Sequence, residues 1–179
     1  SPEYGSASDC NFDLSLLKWG CKTLLEADSI LGKNDSLRSR WKDVYARLTD
    51  FLFDPDEGWM IGRNRPYDMS HRHYSHLLMA YPLYLVNRDQ PGGKEMIVKS
   101  VNHWQSIKGA LEGYSRTGAA SLYASVGEGD KALAYLEEFM QKSMQPNTCY
   151  QEGGNPVIET PLSAARALLD MALQSWGGK

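Results

Sequence analysis

Residues 117–140 read TGAASLYASVGEGDKALAYLEEFM, and the folding of this stretch decides the architecture of the chain. Its first half is rich in small residues: Gly118, Ala119, Ala120, Ser121, Ala124 and Ser125. A helix over 117–126 with so little side-chain bulk lets neighbouring helix axes approach closely, as in a tightly packed inner layer. After Gly127-Glu128-Gly129, a second helix presents Leu133, Leu136, Phe139 and Met140 at helical spacing, which makes one apolar face. Two helices joined by a short glycine-rich turn form an antiparallel hairpin.

The same pattern extends in both directions. Leu14, Leu17, Cys21, Leu24 and Leu31 form one helical stripe, and Leu37, Trp41, Val44, Leu48 and Phe51 form another. Gly32-Lys33-Asn34 separates them, with Asn34 or Asp35 suited to cap the second. Residues 54–70 carry turn formers around Trp59-Met60-Ile61 and read as a loop with one short strand. A helix is expected from about 70 to 85 through Leu77, Leu78, Tyr81 and Leu85, kinked or stopped at Pro82. Another is expected over 93–107, entered through Pro91-Gly92-Gly93. Residues 146–160 read as a loop. Thr160 as N-cap and Pro161 at the first helical position then open a last helix. Its expected inward side chains are Leu162, Ala165, Leu168, Leu169, Leu173 and Trp176, and Gly177-Gly178 ends it. The expected fold is all-α, seven helices arranged as successive antiparallel hairpins in a single unit over 1–179.

Composition narrows the function. With 179 residues, 42% of them hydrophobic, the chain can bury a substantial core and does not read as disordered. Its 19 Lys+Arg against 22 Asp+Glu leave a net charge of -3 and no basic stripe, which argues against nucleic acid as a partner. No apolar run approaches the ~20 residues of a membrane span. Cys10, Cys21 and Cys149 lack paired spacing, so neither a disulfide scaffold nor a zinc site is expected, and no metal or cofactor is assigned. The Gly-x-Ser-x-Gly elbow, the phosphate-binding loop and the dinucleotide fingerprint are absent from the sequence.

What remains is a histidine cluster and two distinctive carboxylates. His71-Arg72-His73-Tyr74-Ser75-His76 packs three of the chain's 4 histidines around an arginine. On a helix His73 and His76 would share a face and His71 would point elsewhere. Imidazole and guanidinium donors in such a cluster suit the hydroxyl groups of a sugar. Glu159 lies among apolar neighbours in Pro156-Val157-Ile158-Glu159-Thr160-Pro161, just before a helix N-terminus whose dipole favours an ionised carboxylate, as a general base requires. Glu3, in Ser1-Pro2-Glu3-Tyr4, sits beside an aromatic and is the candidate for a protonated acid. Glycoside hydrolysis uses one carboxyl of each kind, and the 5 Trp and 10 Tyr offer stacking surfaces for sugar rings.

Taken together, several motifs resemble the catalytic barrel of glycoside hydrolase family 95, the inverting α-L-fucosidases. Ser1-Pro2-Glu3 resembles that family's Ser-Pro-Glu, and His71-Arg72-His73-Tyr74-Ser75-His76-Leu77 its His-Arg-His-x-Ser-His-Leu, followed by Tyr81-Pro82. Gly113-Tyr114-Ser115-Arg116 is similar to Gly-Trp-Ser-Lys/Arg, Gly127-Glu128-Gly129-Asp130-Lys131-Ala132 to the hairpin after it, and Leu173-Gln174-Ser175 to the end of the last barrel helix. The resemblance implies a six-hairpin (α/α)6 barrel of which 1–179 is about the C-terminal half, excised from a longer chain. It implies Glu3 as general acid, Glu159 as the carboxylate that activates water, and His71, Arg72 and His73 as sugar-binding groups. The partners are then a glycan substrate and the rest of the parent chain, and export from the cytoplasm follows by analogy.

Some positions depart from the family pattern. Glu159 stands where the family has Asp, and Thr160-Pro161-Leu162 replaces its Gly-Asn-Phe. Gly153-Gly154-Asn155-Pro156-Val157 replaces a His-Pro-Pro-Phe-Gln stretch, and Gly118 stands where the family has a second Trp. The family's water-positioning Asn residues lie upstream of this chain. The expected function is hydrolysis of an α-linked L-fucosyl or related glycan with inversion, the acid and base carboxyls roughly 6.5–9.5 Å apart. The 179-residue piece alone is expected to be inactive. The alternatives are a barrel that binds glycans without cleaving them and a helical scaffold for protein partners. A scaffold would carry a fixed repeat period, which the sequence lacks.

Overall fold

The computed structural model describes residues 5–175. Glu3, Trp176 and the terminal Gly177-Gly178 therefore lie outside the described residues. Six α-helices carry the fold: α1 (Asn11–Leu31), α2 (Arg38–Arg47), α3 (Gly93–Ser106), α4 (Gly113–Ser125), α5 (Gly129–Lys142) and α6 (Glu159–Ala172). Two minimal antiparallel hairpins accompany them. β1 (Phe53–Asp54) pairs with β2 (Gly58–Trp59), and β3 (Gln151–Glu152) pairs with β4 (Asn155–Pro156).

The centre of the molecule is α4. From Thr117 through its end every residue is buried, so this helix has no solvent face. A helix buried all round must be thin or apolar on every side, and the alanines, Gly118 and the serines make it thin. The burial leaves little polar cost, because Ser125 Oγ donates to the Leu122 carbonyl at 2.7 Å and Ser115 Oγ to the Arg72 carbonyl at 2.8 Å. α5 and α6 pack along α4 on two sides, and α3 meets it on a third. The main core combines Leu77, Met79, Val101, Trp104 and Leu122, each fully buried.

The first hairpin, α1 with α2, is tied to this core through Asn11. Its side-chain amide donates to the carbonyls of Leu52 and Met60, both at 2.8 Å, and its Oδ1 accepts the Leu52 N–H at 2.9 Å. Asn11 is fully buried and holds the start of α1 against the β1–β2 region. Gly58 brings the second strand onto α3, where Trp59 N–H donates to Ser100 Oγ at 3.0 Å. A Cβ at Gly58 would lie 2.4 Å from that oxygen.

Two expectations are corrected. Residues 70–85 do not form a helix. They contain one 3-10 turn (Ser75–Leu77) and otherwise irregular backbone, with a cis Tyr81–Pro82 bond. Pro82 has no N–H to donate to a helix. The apolar side chains are also needed in several directions at once, since Leu77, Met79, Ala80 and Tyr81 are all buried. The second correction concerns the helix faces. Leu162, Leu168, Leu169 and Leu173, expected inward on α6, are exposed, and Thr160, Ala167 and Asp170 are the buried positions. Ile158 is the N-cap and α6 starts at Glu159, so Thr160 is an interior residue of the first turn rather than the cap. On α1, Leu14 and Cys21 are buried, while Leu17, Leu24 and Leu31 face outward. The three cysteines are free thiols.

Two stability measurements follow from this packing. A Cβ at Gly118 would fall 2.3 Å from the Tyr74 ring, which is itself locked in a buried aromatic cluster. Gly118→Ala should therefore destabilise the protein by roughly 1–3 kcal/mol in denaturant unfolding. Gly129→Ala, where nothing lies within 4 Å of the new Cβ, should stay within about 0.5 kcal/mol of the wild type. At the turn between α1 and α2, the Asp35 N–H and then the Arg38 guanidinium hold the Asp28 carboxyl below its usual range. A group depressed in the folded state stabilises above its unfolded value and loses that contribution as pH falls through the folded one. Asp28→Asn should lower the melting temperature at neutral pH. The difference from wild type should shrink on acidification towards about pH 3, below the ordinary Asp range.

Candidate functional site

The irregular segment 70–85 and the start of α6 face one another across an open hollow of about 420 Å³. That is the size range in which small-molecule ligands are held. Phe12, Tyr74 and Tyr114 supply aromatic walls, Leu78 and Pro82 add apolar surface, and His73, Ser75 and Glu159 are the polar groups. They come from four parts of the chain: the first turn of α1, the segment 70–85, the first turn of α4 and the start of α6. Asn11 fixes the first turn of α1 and thereby Phe12. Tyr114 sits in the first turn of α4, stacked on Tyr74 with ring centroids 5.8 Å apart, and the His73 ring meets it edge-on at 5.4 Å. Burial foremost, with Tyr114 second, raises the Tyr74 hydroxyl well above its ordinary value, so it stays protonated.

The histidine-rich segment holds its irregular shape by bonds from side chains to backbone. His73 N–H donates to His71 Nδ1 at 3.0 Å, and His71 N–H donates to the Tyr67 hydroxyl at 2.9 Å. The His71 carbonyl accepts from Trp104 Nε1 at 3.0 Å and from Tyr67. Each bond satisfies a backbone group that a helix would otherwise have satisfied. His76 turns the other way, buried and stacked on Tyr67 with centroids 4.4 Å apart. His73 and His76 therefore do not share a face.

Of the residues singled out in the sequence, the structure brings His73 and Glu159 together on the hollow. His71 and Arg72 are adjacent in the chain but are not among its lining side chains. The Arg72 guanidinium pairs instead with Glu152 on the β3–β4 hairpin. Glu159 is exposed at the first position of α6, next to the buried Thr160. Glu3 falls outside the described residues.

Sequence reasoning missed Phe12, Tyr150 and Glu152, and read Tyr114 only as part of a motif. Phe12 lies off the apolar stripe of α1, which is itself a signal that an aromatic serves something other than the core. Glu152 stands beside turn glycines and carries no local signal at all. Among the described residues no group of three or more His, Cys, Asp or Glu is placed to hold a metal ion. No helix there is long and apolar enough to cross a membrane.

The glycosyl hydrolase family 95 catalytic domain matches residues 1–160, a span that takes in the histidine segment, α4, α5 and Glu159. A search of the curated proteins found no match. With most of its length matched, an all-α fold of helical hairpins, and His73 and Glu159 on one hollow, this chain belongs to the glycosyl hydrolase family 95 catalytic domain and is part of that family's helical barrel.

Proposed function

We propose that the hollow between His73 and Glu159 is the sugar-binding centre of a glycoside hydrolase that acts on an α-linked L-fucosyl or related residue with inversion of configuration. The observation that carries this reading is the convergence of Glu159 and His73 on a single hollow from segments far apart in sequence. Aromatic walls and few polar groups suit a sugar ring, which presents apolar C–H faces to aromatics and hydroxyls to His73, Ser75 and Glu159. His71 and Arg72 act in the same region, as neighbours that hold the backbone just before His73.

In this mechanism Glu159 accepts a proton from water as its oxygen attacks the anomeric carbon. The bond from that carbon to the leaving oxygen breaks, and Glu3 delivers the proton the leaving oxygen needs. The new carbon–oxygen bond forms on the opposite face, so configuration inverts.

We also propose that 1–179 is about the C-terminal half of a longer (α/α)6 barrel. The exposed Ile158, Leu162, Leu169 and Leu173 support this, since they recur at helical spacing along α6. The outward leucines of α1 form a second uncovered apolar strip. Contiguous apolar faces of this kind belong against other protein.

Glu159→Gln in the full-length chain should cut turnover of an aryl α-L-fucoside by about a hundredfold or more, with folding intact by melting temperature. Turnover equal to wild type would remove Glu159 from the chemistry. Proton NMR of the first product formed should show the β-anomer of the released sugar, and an initial α-anomer would exclude inversion.

A further inference from the structure

The β3–β4 hairpin is built around a buried carboxylate that the reaction described above does not use. Its two-residue turn, Gly153-Gly154, has positive φ at both positions (55° and 81°), the geometry such tight hairpins require. Around it Gln151, Asn155 and Pro156 are exposed, yet the Glu152 side chain is only 8% exposed. A buried carboxylate needs partners for both oxygens, and Glu152 has them. Oε2 pairs with the Arg72 guanidinium, and Oε1 accepts the Tyr150 hydroxyl at 2.8 Å.

Tyr150 extends the connection. Its hydroxyl oxygen accepts the N–H of Gly113, the first residue of α4, at 2.9 Å. The ring lies so close that a Cβ at Gly113 would stand 2.7 Å from it. The Tyr150 carbonyl accepts the Val157 N–H at 3.1 Å, at the point where the chain turns into α6 and Glu159. Arg72 is held from the other side as well, because its carbonyl accepts the Ser115 hydroxyl. One chain of bonds therefore links the residue before His73, the start of α4 and the segment leading to Glu159.

We propose that Glu152 is a positioning residue: by joining Arg72 to Tyr150 it holds the approach to Glu159 in register with His73 across the hollow. The inference rests on the hydrolase reading for its consequence, although the bonds themselves do not. Without the carboxylate, the ion pair that joins Arg72 to the hairpin is gone. Glu159 then loses its fixed placement while the helical core stays intact.

Steady-state hydrolysis of an aryl α-L-fucoside by the full-length chain is compared for wild type, Glu152→Gln, Glu152→Asp, Tyr150→Phe and Glu159→Gln. Glu152→Gln should lower kcat about tenfold or more with KM little changed, since small misplacements of a reacting group cost rate steeply. Tyr150→Phe should lose less, and Glu152→Asp, which keeps the charge, should recover part of the rate. Amide hydrogen exchange of the same proteins is independent of activity. The Gly113 and Val157 amides should exchange about fivefold faster in Glu152→Gln, while those of Leu122 and Tyr123 inside α4 should not change. Wild-type kcat in Glu152→Gln beside an inactive Glu159→Gln would overturn the proposal, and so would a rise in KM alone or unchanged exchange at Gly113 and Val157. If wild type itself does not hydrolyse the glycoside, the hydrolase reading falls, and the exchange data alone then decide whether Glu152 holds this register.

Discussion

Everything in this structure depends on how closely other elements can approach α4. A helix with leucines on every face would hold its neighbours at ordinary helix-packing distances. This one has Gly118, Ala119, Ala120, Ser121, Ala124 and Ser125 at its centre, all buried. The thinness admits α5 and α6 on two sides and the Tyr74 ring directly over Gly118. Tyr74 in turn stacks on Tyr114, so the floor of the hollow follows from a missing side chain.

The hollow is made almost entirely by backbone that is not regular. Helices satisfy their own polar groups, whereas the histidine segment must find each partner separately. It does so with Tyr67, Trp104, Ser115 and its own His71 ring. That arrangement explains why so many of its residues look functional in sequence. Some are holding the backbone, and their neighbours then project into the hollow. His71 and His73 illustrate the division: one ring nitrogen of His71 accepts the N–H of His73, and His73 itself lines the hollow.

Helical spacing and glycine turns were enough to read all six α-helices to within a few residues, and to read α4 as an inner helix from its small side chains. The misreadings have a common cause. Periodicity reports that a face is apolar without reporting what it packs against. On α6 the leucine face looks outward and the less apolar Thr160, Ala167 and Asp170 look inward. Asp170 is accepted there because Tyr81 donates to it at 2.7 Å and Arg166 pairs with it at 2.9 Å. Between 70 and 85 the same spacing suggested a helix, although those apolar side chains enter the core from several directions. At the hollow, His73 and Glu159 were legible in the sequence as candidates. Phe12 and Glu152 were not, because each acquires its place only through contacts made across the fold.

The two kinds of surface on α6 bear on each other. Its first turn carries Glu159 on the hollow, and its length carries a leucine strip with no covering element among the described residues. A helix held mainly along its α4 side, with lesser contact to α5, leaves the carboxylate's placement largely to one surface and one preceding loop. That is the mechanical reason the loop needs an ionic anchor of its own. The carboxylate of Glu152, seven residues before Glu159, fixes the strand end of the loop, and α4 fixes the helix end. Burying a charge in a two-strand hairpin is costly unless both oxygens are matched. The matching by Arg72 and Tyr150 makes the hairpin a rigid spacer of defined length, so that the distance across the hollow is set by hydrogen-bond geometry rather than by loop flexibility.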